Sequence, residues 1–467
     1  MNTAAPVVIV GAGPAGATAA LSLAEAGISS VLLDDNGAAG GQVWRTGAAD
    51  LGPPLAYTDA RGDELRRDLK RHGDLIDHRT GHEVVGLFPD LRLWVLEGGE
   101  TVTSLHPKAI VVATGALEVF APVPGWTRPG VYGLGGLQAL MKTSRVVPDG
   151  PVVLGGAGPL LRLVAAQLAS FGAEIAAVVD AAPWPSSGQV LRLASQPGLL
   201  AKGLAFEWGL LRRGIPVHRG SAIVEVAGDE EAGSVLVAPV DENWRPVDGP
   251  RRRLEARVVG LGYGVRSNVE LTRLAGCEHT FSASRGGWHA TRNRDMETTV
   301  ENLFLAGDGG GIGGVEVALA EGVIAAASVS ERLGQGDRLK TKAAKARGRM
   351  VDLVRFQDAL ADWSGVRPGI LAGSTEDTII CRCEDVTRGE IAAAVAAGYT
   401  DIGPVKMNTR AGMGLCQGRT CTPALQAIMA SETGRPLAEA GLPTSRAPLR
   451  PVPLKALAQL PLDEAVE

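Results

Sequence analysis

The sequence predicts an α/β protein with two dinucleotide-binding units followed by a small helical module built on cysteines. Three observations predict it: a glycine-rich turn between an apolar strand and a helix at 7–16, a related turn at 152–159, and four cysteines gathered between 381 and 421. At 467 residues the chain is too long for one compact core and fits about three domains. Hydrophobic residues make up 45%, charged residues 21%, and glycine reaches 62, as in α/β proteins rich in tight strand-to-helix turns. The net charge is -5 with both signs mixed throughout, so nothing concentrates positive potential and nucleic acid is excluded as a partner. No apolar stretch reaches the ~18 residues of a membrane span, and the N-terminus enters a strand without a basic segment or cleavage site. The expected location is the cytoplasm, with peripheral attachment to the inner membrane left open.

The opening unit begins with the β-branched run Val7–Val10, followed at once by Gly11-Ala12-Gly13-Pro14-Ala15-Gly16. An Ala/Leu-rich helical stretch ends near Gly27, and a second strand at 31–33 closes on Asp34. Gly11 permits the turn, Gly13 lets a pyrophosphate approach the backbone, and Gly16 lets helix pack on strand, while the helix N-terminus offers free N–H groups. Asp34 stands where a carboxylate accepts ribose hydroxyls. A lone GxGxxG is weak, but here strand, turn, helix, strand and acid fall in order; the competing reading is an ordinary βα turn.

The pattern returns at Val152-Val153-Leu154-Gly155-Gly156-Ala157-Gly158-Pro159, with a strand at 175–179. Gly156 and Gly158 match the first copy, but Leu161 replaces the third glycine. A leucine there is expected to push helix and strand apart or reshape the turn, leaving a unit that binds nucleotide poorly or not at all.

Three further segments complete the order: Gly40-Gly41-Gln42 past the first acid, the strand and turn Val111-Val112-Ala113-Thr114-Gly115, and Leu303-Phe304-Leu305-Ala306-Gly307-Asp308 beside a run of glycines. Through these segments residues 5–335 resemble the two-dinucleotide-binding flavoproteins of the glutathione-reductase type, with two Rossmann-like domains. The resemblance implies FAD on the first unit, with Asp308 at the ribityl-pyrophosphate region, Gly41 and Gln42 along the flavin, and 309–322 holding the isoalloxazine end. The implied cofactor contacts are Gly11, Gly13, Pro14, Ala15, Gly16, Asp34, Gly41, Gln42, Val84, Ala113, Thr114, Gly115, Gly307, Asp308 and Glu316. Without the family, Asp308 reads equally well as a turn residue satisfying nearby amides. One departure matters: disulfide reductases of this type carry a cysteine pair beside the flavin, and 40–47 contains none.

Beyond about Arg332 the composition shifts to a basic, Ala-rich stretch at 340–349, a helical stretch at 353–363 and a loop at 366–374. Then come Cys381-Arg382-Cys383, a helix near 388–397, and Gly412-Met413-Gly414-Leu415-Cys416-Gln417-Gly418-Arg419-Thr420-Cys421. Four thiolates form a complete set for an iron-sulfur cluster or a structural zinc; a CxC bite with a distant CxxxxC is less natural for zinc. The segment resembles the bacterioferritin-associated-ferredoxin-like domain, which implies a 2Fe-2S cluster on Cys381, Cys383, Cys416 and Cys421. The fifth cysteine, Cys277, reads as a packed thiol.

The resulting organisation is an FAD-binding domain over 1–118 and 270–335, a second NAD(P)-binding-like domain over 119–269, a linker with a helix over 336–375, a 2Fe-2S domain over 376–435 and a Pro-rich tail over 436–467 that contacts either a partner or its own chain. The seven histidines form no acid/base constellation, so the catalytic residues are unassigned. The whole order, with Gly286-Gly287-Trp288 between the units, resembles the larger, electron-transferring subunit of heteromeric bacterial amine and amino-acid dehydrogenases, such as the opine oxidases, D-hydroxyproline and L-proline dehydrogenases and hydrogen cyanide synthase. That resemblance implies a smaller D-amino-acid-oxidase-like flavoprotein partner, an FMN near the subunit interface, and delivery of electrons to a quinone or carrier. The alternatives are a self-sufficient NAD(P)H-dependent reductase, against which Leu161 speaks, and a non-enzymatic role with nucleotide and metal as structural ligands.

Overall fold

The structure is a computed structural model of the chain and describes residues 6–47, 57–372 and 374–460, so the end of the Pro-rich tail lies outside the described residues. Its fold class is the one the sequence predicts. Leu303–Leu305, Ala109–Val112, Val7–Val10, Ser30–Asp34 and Ile76–Thr80 form a parallel sheet in that order. Every residue of Val7–Val10 and Ala109–Val112 is buried, as a sheet covered on both faces requires. The second sheet repeats the plan with Val217–Arg219, Ile175–Asp180, Val152–Gly156, Val258–Gly262 and Val131–Gly133, again all parallel. Each unit also carries a three-stranded antiparallel sheet, His82–Leu87 with Leu93–Glu97 and Thr101–Leu105 in one, Ser221–Ala227 with Ser234–Pro239 and Arg252–Glu255 in the other.

The chain leaves the first unit through Ala116–Glu118 and returns through Val265–Ser267, two strands that pair antiparallel. It then completes the first unit with the helix Gly314–Arg332, which packs on Pro14–Glu25. The two helices touch closely: a Cβ on Gly322 would stand 2.3 Å from the Ala15 carbonyl oxygen.

The linker differs from expectation. Residues 340–349 and 353–363 are one helix, Lys340–Ser364, because the Ala, Lys and Arg of the basic stretch are strong helix formers and the single Gly348 among them, with no proline, costs too little to end it. It ends in Gly365, followed by the short helix Pro368–Ala372. The cysteine module is a strand pair, Ile379–Cys381 with Val386–Thr387, and the helices Arg388–Ala396, Ile402–Thr409 and Thr422–Thr433 around a small core. Thr387 and Glu390 form a capping box that starts the first of these helices. The module docks on the second unit: Trp126 Nε1 donates to the Ile379 carbonyl at 2.6 Å, and Ala427 shares a core with Trp244 and Tyr263.

Among the described residues no helix is long and apolar enough to cross a membrane. The helices Ser187–Leu193 and Pro197–Arg212 leave Leu191, Leu204, Trp208 and Leu211 60–77% exposed, with Trp184 beside them at 73%, an apolar surface of the kind that marks a contact site.

Candidate cofactor cleft and thiol cluster

A cleft of about 710 Å³ opens at the C-terminal ends of the first sheet, where open α/β sheets bind ligands. Its floor is backbone: Gly11 to Ala15 from the first turn, Ala113, Thr114 and Gly115 from the next strand, Gly307 and Asp308 from the last. Gly16 does not line it but makes it possible. A Cβ there would stand 1.9 Å from the Gly11 carbonyl oxygen, so only glycine lets the helix approach the turn. Gly41 faces Gly13 across the mouth, their Cα atoms so placed that a Cβ on Gly41 would meet the Gly13 Cα at 3.0 Å. A pyrophosphate thus finds the Gly13 and Ala15 amides at a helix N-terminus, which fits a dinucleotide.

Thirteen of the fifteen residues expected at the cofactor, Val84 included, line this cleft. The others are Gly16 and Glu316, whose carboxylate is instead taken by Arg61 at 2.8 Å. Asp34 is 4% exposed and accepts from the Ala12 N–H at 2.7 Å with one oxygen and from the Asn36 N–H and side chain with the other. Asp308 accepts from the Gly313 and Gly314 N–H groups at 2.9 Å through one oxygen, capping the following helix, while it also lines the cleft. Behind it the buried Glu321 grips Arg292 with both oxygens and the Gly307 N–H at 2.8 Å, which fixes that turn.

Sequence reasoning missed several lining groups. Asp35 sits next to Asp34, and burial together with that neighbouring charge pushes its carboxyl up. Glu118 is pushed up to about 7 by burial, although the Gly135 amide donates to it at 3.1 Å. Lys142 is pulled down to about 8 by burial and by Arg45, and its Nζ donates to the Val43 carbonyl at 3.0 Å. No motif marks these residues; the fold brings Glu118 to the start of the helix Leu134–Ser144 and Lys142 to its end.

At the corresponding place in the second unit the chain's own side chains fill the space. Asp180, which ends the second strand as Asp34 does, is 1% exposed and bound by Arg162, Arg219 and the Ala182 N–H. Arg162 also pairs with Glu207, hydrogen-bonds the Gly158 carbonyl and lies over the Trp363 ring at 5.0 Å. A Cβ on Gly158 would meet Ser364 Oγ at 3.6 Å, so the end of the long linker helix lies over the turn. Leu161 is fully buried and packs with Leu134 and Leu137 of the crossing helix rather than opening the fold.

The four late cysteines meet as two pairs. Cys381 contacts Cys421, a hydrogen bond that with the Gly412 N–H at 3.4 Å draws the Cys381 thiol down to about 6. The same contact and burial push Cys421 up. Cys383 and Cys416 form the second pair, nearer the surface. A Cβ on Gly414 would stand 2.1 Å from the Cys383 Cβ, so the loop has no room for a side chain there. Two thiols for each of two irons is how a two-iron cluster is held, whereas one zinc needs four ligands at a point. Among the described residues no three His, Cys, Asp or Glu side chains are placed to hold a single ion. Cys277 is a packed thiol, 7% exposed and pushed up by burial.

The thiol loop opens onto the cleft. Arg419, between Cys416 and Cys421, lines the cleft and pairs with Glu270 at 2.6 Å. Its carbonyl accepts from Arg266 Nη2 at 2.9 Å, and its own guanidinium reaches the Leu449 carbonyl. The Pro-rich tail packs on its own chain: the Leu449 N–H donates to Val85, Arg450 pairs with Glu83, and both Leu449 and Arg450 line the cleft.

Residues 5–322 match the family model of pyridine nucleotide-disulphide oxidoreductases, and 379–431 match that of the BFD-like [2Fe-2S] binding domain. The chain is 38% identical to the HcnB subunit of hydrogen cyanide synthase from Pseudomonas aeruginosa, over 97% of this chain and 98% of that one. It is 36% identical to an opine oxidase subunit of Rhizobium meliloti, again over 97% and 98%. In fold it is similar to L-proline dehydrogenase from P. horikoshii, with a TM-score of 0.67 and 20% identity over 98% of this chain and 80% of that one.

Proposed function

The chain belongs to the pyridine nucleotide-disulphide oxidoreductase family, within the group that includes HcnB and the opine oxidase subunit, and from that premise we propose that it is the electron-transfer subunit of a heteromeric dehydrogenase or oxidase acting on C–N bonds of amino acids, opines or D-hydroxyproline. One observation carries the reading: the loop bearing Cys416 and Cys421 borders the dinucleotide cleft through Arg419. Residues 1–118 with 270–335 form the flavin unit, 376–435 the cluster domain, and 119–269 a unit kept as scaffold.

FAD in the cleft supplies exchange between two-electron and one-electron chemistry. The residues' part is to bind and shield. The amides of Gly13 and Ala15 take the pyrophosphate, since those of Gly11 and Ala12 are held by the Leu33 carbonyl and Asp34 and Pro14 has none; Asp34 and Asp35 hold the ribose, and Leu449 and Arg450 close the adenine side against water. Cys381, Cys383, Cys416 and Cys421 hold the 2Fe-2S cluster. Arg162, Asp180 and Trp363 occupy the second nucleotide site, so NAD(P)H is not the electron donor; electrons arrive from a smaller flavoprotein partner that oxidises the substrate. An FMN at the interface with that partner, a quinone or carrier as acceptor and a place at the cytoplasmic side of the membrane complete the proposal.

The test is purification of the chain with and without a flavin-dependent amino-acid oxidase partner encoded beside it. The complex is expected to oxidise its substrate and reduce this chain's flavin and iron. Full amino-acid or opine dehydrogenase activity from this chain alone would overturn the assignment.

A further inference from the structure

Arg266 lies between the two centres. It sits in the short strand Val265–Ser267, whose neighbours Val265 and Asn268 line the dinucleotide cleft. Its own side chain turns to the thiol loop, where Nη2 donates to the Arg419 carbonyl at 2.9 Å, midway between Cys416 and Cys421. The Nε is sealed from solvent and meets no acceptor.

The surrounding charges leave this guanidinium only partly compensated. Arg419 and Glu270 neutralise each other at 2.6 Å. Arg273 spends its guanidinium on the Pro443 carbonyl and Ser445, and Lys406 and Arg446, which line a small polar recess of about 60 Å³ beside the loop, are cations too. Among the described residues no second carboxylate lines that recess. Of the charges acting on Arg266, Glu270 attracts it most but is held by Arg419, whose own charge opposes Arg266; the other negative groups it faces are the sulfurs of Cys421 and Cys416. An arginine does not give up its proton inside a protein, and a half-buried charge that is only partly compensated is costly. The cost is met when the thiols are ligated as thiolates.

We propose that Arg266 is the counter-charge of the thiolate-ligated cluster and holds its reduction potential up; this rests on the functional reading above. Reduction adds one electron and hence one negative charge to the cluster, with no bond made or broken. A fixed cation beside the cluster favours the more negative state, and net charge and hydrogen bonding around the sulfurs set such potentials. Arg266 is a positioning residue: it acts on the cluster, and through the Arg419 carbonyl it also fixes the loop against the flavin unit.

The test is a redox titration of the intact chain, reading the spin-resonance signal of the reduced cluster and the flavin absorbance together. Arg266→Gln is expected to shift the cluster's reduction equilibrium at least tenfold toward the oxidised form, about 59 mV for one electron, with the flavin moved less. Arg266→Lys, which keeps the charge, is expected to stay near the unaltered chain. Glu270→Gln releases the Arg419 charge and is expected to shift the cluster the opposite way, which decides the matter should Arg266→Gln lose its iron. An unmoved potential in both neutralising variants, or loss of the cluster from Arg266→Lys as well, overturns the proposal. If the unaltered chain holds no iron and sulfide, it is the functional reading that fails instead.

Discussion

The two βαβ units share strand order, turn and crossing helix, yet one holds an open cleft and the other a closed knot of charge. In the first, Gly16 lets the helix sit on the turn, and Asp34 keeps its oxygens on the amides of Ala12 and Asn36 at the edge of an open space. In the second, the next residue after Leu161 is Arg162, whose guanidinium pairs with Asp180, hydrogen-bonds the Gly158 carbonyl of the turn and stacks on Trp363. The same backbone therefore serves as a ligand site or as a scaffold according to a few side chains. An arginine from within the fold neutralises the acid that ends the second strand, a charge the first unit leaves to backbone amides.

The strongest way to break this comparison is to unpair the knot. Arg162→Ala leaves Asp180 buried with Arg219 alone, and the expected loss is about 3–5 kcal/mol of stability, read as a lower denaturant midpoint, with flavin content unchanged. A large loss of flavin in that variant would mean that the second unit takes part in holding it. Gly16→Val probes the other side. Its overlap with the Gly11 carbonyl is expected to cost about 3 kcal/mol of cofactor affinity, roughly hundredfold, read as flavin lost on dialysis; retention at full ratio would place the flavin elsewhere.

Glu118, at the boundary between the units, sharpens the contrast through pH. Its folded-state value of about 7 lies above the ordinary 4.5, so folding favours the protonated carboxyl. The associated stability is whole below pH 4.5 and is lost as the pH rises through 7, on the order of 2 kcal/mol in the flavin-free protein. Glu118→Gln is expected to flatten thermal stability over that window, and an unchanged slope would place the titration elsewhere. The smallest expected effect is none at all: NADH mixed with the oxidised chain leaves the flavin absorbance in place, and bleaching within seconds would show that the knot opens.

Much of this was legible locally. The turn at 11–15, the acid at 34 and the segments at 113–115 and 307–308 are short-range patterns whose chemistry follows from neighbours in sequence, and they line one cleft. Leu161 was legible as a departure, but its consequence was not, because the leucine packs against Leu134 and Leu137 and leaves the closing to Arg162 and to Trp363, two hundred residues on. Glu118, Lys142 and Arg266 carry no motif and acquire their setting only through long-range contacts. Glu316 was read without its partner for the same reason, since Arg61, which takes its carboxylate, lies on a helix distant in sequence.

The most direct test of the account is chemical analysis of the purified chain, with cofactor release on denaturation and a spin-resonance spectrum after reduction. The account predicts about one FAD and about two irons with two sulfides per chain, and a rhombic 2Fe-2S signal. Zinc or free thiols at Cys381, Cys383, Cys416 and Cys421, with no flavin released, would contradict it.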